Sequence, residues 1–210
     1  DVSVVDDEGR PTPPGQVGNV VIRLPLPPGC LPTLWNNDEG YMKSYLSRFP
    51  GFYSTSDAGF IDDDGYLFIM GRTDDIINVA GHRLSTGGME EVVAGHKDVA
   101  ECAVIAAPDA IKGEVPVGFL VLKAGVDRRD EDIVAEVVQR VRDDIGAVAC
   151  FRSAAVVRRL PKTRSGKILR GVMKKIAEGV EFKTPATIDE PAILDEIREA
   201  LSGLGYPSRG

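Results

Sequence analysis

A change of periodicity at Gly71-Arg72 constrains the fold more than any other feature of the chain. Residues 1–72 consist of short apolar runs cut by turn residues. Gln16-Val-Gly-Asn-Val-Val-Ile-Arg23 and Tyr66-Leu-Phe-Ile-Met70 read as strands, and Asp62-Asp-Asp-Gly65 as the hairpin turn before the second. The chain opens on a strand, Asp1-Val-Ser-Val-Val5, which enters a turn at Asp6-Asp-Glu-Gly9. A start inside a sheet, without a methionine, points to a piece of a longer protein. Pro25, Pro27, Pro28 and Pro32 mark a stiff surface loop. Asp38 to Tyr45 reads as a short helix.

Beyond Gly71-Arg72, strands alternate with helices. Thr86 to Ala94 is a helix carrying Met89, Val92 and Val93, stopped by Gly95. Ala100 to Ala106, Pro116 to Lys123 and Ala154 to Val157 read as strands. Asp130 to Ile145 is an amphipathic helix with Ile133, Val134, Val137, Val138, Val141 and Ile145 on one face and Gly146 just past its end. A tail helix covers Glu190 to Leu201, with Pro191 near its start and Gly203 at its end. The expected fold class is α+β. A β-rich segment over residues 1–73 precedes a hinge, then a compact α+β domain over 74–180 with helices packed on a short mixed sheet, then a helical tail over 181–210.

Composition bounds the function classes. At 210 residues the chain holds one large or two small domains, each able to bury a core. No apolar run approaches the roughly 20 residues that span a bilayer, and no basic-then-apolar leader argues for secretion. Neither a membrane nor a nucleic acid is expected as a partner. Cys30, Cys102 and Cys150 are widely spaced and lack paired-ligand spacing, which fits free buried thiols in a reducing cytoplasm. His82 and His96 lie far apart with no partner carboxylate pattern, so no metal site is expected.

The chemistry concentrates near the C-terminus. Pro161-Lys-Thr-Arg-Ser-Gly-Lys167 leads into Ile168, Leu169, Val172, Met173 and Ile176, spaced as one helical face. Between Arg158 and Lys175 there are eight basic residues and no acidic one, in a chain of formal net charge -7. This local reversal of sign fits an anionic ligand and fits a solvated basic helix end equally well. A nucleotide-binding P-loop is excluded. That motif needs a glycine where Pro161 stands and a Ser or Thr where Ile168 stands.

Three segments together resemble the adenylate-forming acyl-CoA synthetases. Gly71-Arg-Thr-Asp-Asp-Ile-Ile-Asn-Val-Ala-Gly-His-Arg83 is similar to the hinge and following loop of the acetyl-/propionyl-CoA synthetase branch. Pro161 to Lys167 is similar to that family's catalytic lysine loop, and Tyr53-Ser-Thr-Ser-Asp57 to its ribose-binding motif. Order and separation agree, and the resemblance runs from the Asp6 turn to about Gly179. The run from Leu26 to Trp35 looks more like the propionate-activating members. The resemblance implies the C-terminal portion of an enzyme that uses ATP and Mg²⁺ to convert a short-chain carboxylate, propionate first, to an acyl-adenylate and then passes the acyl group to CoA. Alternatives are an acetyl-CoA synthetase, an adenylation enzyme loading a carrier-protein pantetheine, and a non-enzymatic binding module. Residues 1–73 would be the end of the family's distorted barrel, with most of the ATP and Mg²⁺ contacts and the acyl pocket elsewhere. The chain by itself is therefore expected to be inactive.

Residue roles follow from the same resemblance. Lys167, on a mobile loop beside Gly166, is the expected catalytic cation for adenylation. Asp57, Arg72, Arg83 and Asn78 are the expected nucleotide-binding residues, although Ser56 stands where the family usually has glycine, which questions the turn before Asp57. Asp74 is the expected hinge. Gly81 and Arg142 are expected to serve CoA, Gly81 beside the pantetheine arm and Arg142 on the 3′-phosphate. Relatives controlled by lysine acylation make a lysine acetyltransferase and deacetylase expected partners at Lys167. Beyond them the partners are the small-molecule substrates.

Overall fold

The computed structural model describes residues 1–207, which form two compact units, one over Asp1–Asp74 and one starting at Asp75. The tail expected over 181–210 is described up to Pro207; residues 208–210 lie outside the described residues.

The first unit is an antiparallel meander of four strands, β1 (Val2–Val5), β2 (Gly18–Arg23), β3 (Phe52–Ile61) and β4 (Leu67–Arg72), in the order β1-β2-β3-β4. Among the described residues these strands form one open sheet with β1 and β4 at its edges. Two turns are built by the same device. Asp6 Oδ1 accepts the N–H groups of Glu8 (3.0 Å) and Arg10 (2.9 Å). Asp62 Oδ1 accepts those of Asp64 (3.1 Å) and Tyr66 (2.8 Å). Each turn then needs a residue at positive φ, supplied by Gly9 (81°) and Gly65 (86°). The expected helix at 38–45 is split: α1 (Asp38–Tyr41) runs into a π-helical turn over Met42–Leu46.

The second unit contains β5 (Ile76–Val79), β6 (His82–Ser85), α2 (Thr86–Ala94), β7 (Val99–Asp109), β8 (Gly113–Leu122), α3 (Asp130–Asp144), β9 (Ser153–Val156), α4 (Arg170–Glu178) and α5 (Ile193–Gly203). The long β7–β8 antiparallel hairpin is its spine. Strand β9 pairs parallel to β8, and the β5–β6 hairpin joins β8 at Val79–Gly113, so the sheet is mixed. Gly118 permits the β9 side to close up: a Cβ there would stand 2.6 Å from the Phe151 ring.

Both faces of the hairpin are buried. On one side Val104, Ala106 and Leu120 pack with Met89 and Val93 of α2 and Ile133, Val137 and Val141 of α3. On the other, Ala103, Ile105, Val117 and Phe119 pack with Val172, Met173 and Ile176 of α4 and Ile193, Ile197 and Leu201 of α5. Alternate side chains of one strand therefore enter different cores. Full burial of each large one contributes roughly 1.5–3 kcal/mol.

Helix α4 begins later than the apolar spacing implies, because Ile168 is held in a bridge to Lys162 and Leu169 precedes the first turn. Helix α5 also starts late, since Leu194 and Asp195 donate to Pro191 and Ala192 in a tight turn of i to i+3 bonds. The expectation of buried thiols fails at Cys30, which is exposed. Burial pushes the half-buried Cys102 thiol up to about 11. Among the described residues, no helix is long and apolar enough to cross a membrane.

A polar network ties the loop after α2 to α3. Buried His96 accepts the Asp98 N–H at Nδ1 (3.3 Å), which leaves Nε2 to meet Glu136 Oε2 at 3.0 Å. Arg128 spans Asp98 (2.7 Å) and Glu136 (3.0 Å). Hydrogen bonds from Arg128, then from His96, hold the Glu136 carboxyl at about 2 against its ordinary 4.5. A depressed carboxylate stabilises the fold above its unfolded value and loses that contribution as pH falls toward its folded one. The melting-temperature difference between wild type and Glu136→Gln should therefore be constant above about pH 5 and shrink steadily toward pH 2. A difference that does not change with pH would remove Glu136 from this role.

Candidate active site

In the first unit, the β3–β4 register places Asp57 directly opposite Arg72. Arg72 donates to Asp57 Oδ1 at 2.9 Å and to the Thr55 carbonyl at 3.0 Å, while Asp57 receives its own backbone support from Thr55 Oγ1 at 3.1 Å. Asp57 is half-buried and Arg72 exposed. A two-oxygen acceptor fixed beside a cation is a donor–acceptor set suited to a sugar diol bearing a phosphate.

Ser56, which stands where the family usually has glycine, has φ +61°, the left-handed region that glycine occupies freely. Holding serine there costs roughly 1–2 kcal/mol. Asp74 follows in a single 3₁₀ turn, Thr73–Asp75, where it is exposed and is the last residue of the first unit.

In the second unit, Asn78, Gly81 and Arg83 sit on one small hairpin. Val79 pairs with His82, leaving Ala80 (φ 49°) and Gly81 (φ 91°) as a two-residue turn with both φ positive. Asn78 Oδ1 accepts the Gly81 N–H at 3.0 Å, so Asn78 braces this turn. Arg83 lies opposite Asn78 in the ladder and is half-buried. Gly81 is exposed, and a Cβ on it would meet nothing within 4 Å. The surface beside it is thus open to a ligand, yet the backbone requires glycine for its own reasons. A leucine at Gly81 is strained whatever passes beside it, so that substitution alone does not isolate a ligand contact. Arg142 is exposed in the last turn of α3, with no ion-pair partner among the described residues.

The lysine loop is a hairpin closed by its own hydrogen bonds. Gly166 (φ 85°) donates to the Thr163 carbonyl at 2.8 Å. Thr163 N–H donates to the Lys167 carbonyl at 2.8 Å, and Lys167 N–H returns a bond to Thr163 Oγ1 at 3.1 Å. Lys162 is anchored to Glu101 of β7 through both carboxylate oxygens at 2.7 Å. Lys167 itself is exposed, and its ammonium has no ion-pair partner among the described residues. Most neighbouring cations are engaged: Arg158 with Glu196, Arg159 with Glu190, Arg170 with Glu90 and Lys174 with Glu114. The excess of positive charge read from the sequence is therefore partly neutralised, with Arg164, Lys167 and Lys175 left without an ion pair among the described residues.

Sequence reasoning missed two carboxylates that brace these groups. Glu114 accepts the Asn78 N–H at 2.9 Å and Lys174 Nζ at 2.7 Å, so it links the Gly81 hairpin to α4. Glu90 takes a bidentate pair from Arg170 (2.8 and 2.7 Å) and accepts the Val104 N–H at 2.8 Å. Neither carries a local sequence signal, since their partners lie far along the chain. Among the described residues no three His, Cys, Asp or Glu gather as a ligand set, so Mg²⁺ is assigned to no residue here.

Residues 88–167, from within α2 to the end of the lysine loop, match the AMP-binding enzyme C-terminal domain. The chain's homologues are short-chain acyl-CoA and acetyl-CoA synthetases. Over 95% of its length the chain is 46% identical to the Mus musculus acyl-CoA synthetase short-chain family member 3, mitochondrial, of which it spans 29%. Over 97% it is 43% identical to the acetyl-coenzyme A synthetase of Pyrobaculum arsenaticum, of which it spans 30%. The solved anthranilate CoA ligase AuaEII in complex with anthranoyl-AMP matches 81% of this chain, and 32% of its own, with a TM-score of 0.64 at 31% identity. The chain thus spans less than a third of the length of the curated relatives it matches.

The left-handed Ser56 supplies a direct test of the turn before Asp57. Ser56→Gly removes a cost of roughly 1–2 kcal/mol and adds unfolded-chain entropy worth roughly 0.5–1 kcal/mol. A net stabilisation of about 0.5–1 kcal/mol is expected in denaturant unfolding. Destabilisation would mean that Ser56 does not hold the left-handed conformation.

Proposed function

We propose that this chain is the C-terminal portion of an AMP-forming short-chain acyl-CoA synthetase, with propionate as its carboxylate. In this reading the parent enzyme uses ATP to form an acyl-adenylate and transfers the acyl group to CoA. The observation that carries it is Lys167: an exposed ammonium, free of ion pairs among the described residues, on a loop closed by its own backbone. Negative charge accumulates where a carboxylate oxygen meets the α-phosphate, and a pre-positioned cation stabilises it there. Asp57 and Arg72 are the residues that would hold the nucleotide's ribose and phosphate, with Arg83 and Asn78 completing the nucleotide set. The open surface beside Gly81, together with exposed Arg142, fits a narrow thiol-bearing arm that ends in a phosphate.

Two chemistries with different requirements are served if the second unit turns about Asp74. The exposed 3₁₀ turn is suited to absorbing a backbone change. Lys167 would then face the nucleotide in the first half-reaction, and the Gly81 hairpin in the second. The name and similarity of the Pyrobaculum relative favour acetate as an equal second reading. Loading of a carrier-bound pantetheine is a third, and a binding module without catalysis ranks last. Residues for a polyphosphate cradle and an acyl pocket are assigned outside this chain, so by itself it should not turn over. The cytoplasm and a lysine acetyltransferase and deacetylase acting at Lys167 belong to the same proposal.

The test uses the full-length enzyme and separates the half-reactions. Lys167→Ala should lower propionate-dependent ATP–pyrophosphate exchange by roughly 10²- to 10³-fold, the scale for one oriented electrostatic group. Conversion of supplied propionyl-adenylate and CoA to thioester should persist. Equal loss of both half-reactions would overturn the assignment of Lys167 to adenylation. A parallel series with acetate decides between the two acids.

A further inference from the structure

We propose that Thr163 is a positioning residue for Lys167, with the tail segment Thr187–Asp189 clamping the outer edge of the same loop. This proposal rests on the adenylation role assigned to Lys167. A lysine reaches its target through four rotatable bonds, and ordering such a side chain costs up to roughly 2 kcal/mol. Its ammonium can be aimed only if its backbone is held still, because a misplacement of about 1 Å costs up to 10²-fold in rate. Glycine at the preceding position works against that, since Gly166 adds backbone freedom beside Lys167.

The structure offsets this freedom through one residue. Thr163 engages Lys167 twice, once through its N–H to the Lys167 carbonyl (2.8 Å) and once through Oγ1, which accepts the Lys167 N–H (3.1 Å). Its carbonyl accepts the Gly166 N–H (2.8 Å), and Oγ1 lies 2.9 Å from Ser165 Oγ. Every residue from Ser165 to Lys167 is thus bonded to Thr163. Threonine suits the task because β-branching restricts χ1, so the hydroxyl is aimed by its own backbone.

Thr163 is in turn held from the other side. It bridges Ile188 antiparallel, with Arg164 N–H donating to the Thr187 carbonyl (3.0 Å) and Asp189 N–H to the Lys162 carbonyl (2.9 Å). Ile188 is buried in the core shared by α4 and α5. Lys162 fixes the inner end to Glu101. Lys167 is thereby tied through Thr163 to a buried side chain, and the loop is carried by the unit as one piece.

The test compares Thr163→Val, which keeps the shape and removes the acceptor, with Thr163→Ser, which keeps the hydroxyl. Both are made in the full-length enzyme. Loss of the Thr163 Oγ1 contacts to the Lys167 N–H and to Ser165 Oγ predicts that Val lowers kcat of propionate-dependent ATP–pyrophosphate exchange by roughly 3- to 10-fold. KM for propionate, thioester formation from supplied propionyl-adenylate and CoA, and melting temperature should stay at wild-type values. Ser should restore exchange. Wild-type exchange in the Val variant, equal loss of both half-reactions, or a Ser variant as impaired as Val would each overturn the positioning role while leaving the adenylation reading intact. A wild-type enzyme that exchanges pyrophosphate with neither propionate nor acetate would overturn that reading, and this proposal with it.

Discussion

Burial of both faces of the β7–β8 hairpin is the constraint on which the second unit depends. A strand buried on both sides must present apolar groups at every position, and the run from Ala103 to Ala107 does so. Neither face can be left wet, so helices must cover both. The amphipathic faces of α2 and α3 close one, and those of α4 and α5 the other. The segments between helices then have few routes. The lysine loop must pass from β9 to α4 along the same face that the tail crosses before α5, which is why loop and tail run side by side.

That arrangement gives polar groups a second task. Glu101, Glu114 and Glu90 lie on or beside the central hairpin, and each receives a cation from the lysine segment or α4. Single ion pairs that remain partly exposed, as these do, add little stability. Their effect is geometric, because they fix the approach of α4 and its preceding loop to the sheet. The hydrogen bond from Arg170 to the Glu90 carboxylate also raises the guanidinium above its ordinary value. Glu114 extends the same logic to the β5–β6 hairpin through the Asn78 N–H. The lysine loop and the Gly81 hairpin are therefore both braced against the β7–β8 hairpin.

Elements with strong periodicity were legible from the sequence. Helix α2 occupies Thr86–Ala94 as read, and α3 differs from its reading by one residue, since Ile133, Val137 and Val141 leave no other face to bury. The Asp-to-Gly turns at residues 6–9 and 62–65 were legible because aspartate and glycine each supply something a turn needs. The β5–β6 hairpin was not. Its two-residue turn places alanine at the first positive-φ position, where asparagine, aspartate or glycine is the usual signal, so the segment read as a loop. Ser56 was ambiguous for the same reason, because serine does not announce a left-handed backbone.

By itself the sequence determined which residues carry charge, which segments have a face to bury, and that Pro161–Lys167 cannot be a P-loop. Those properties belong to side chains and their spacing, which are local. Only the tertiary structure decided that the basic segment is partly neutralised, that Asp57 stands opposite Arg72, and that the Lys167 loop is closed by its own hydrogen bonds. The clamp of Thr187–Asp189 on residues 162–164 is made of backbone N–H and carbonyl groups, which every residue type but proline offers alike. Such bonds leave no mark in the sequence, and they exist only because two buried helix faces bring the segments together.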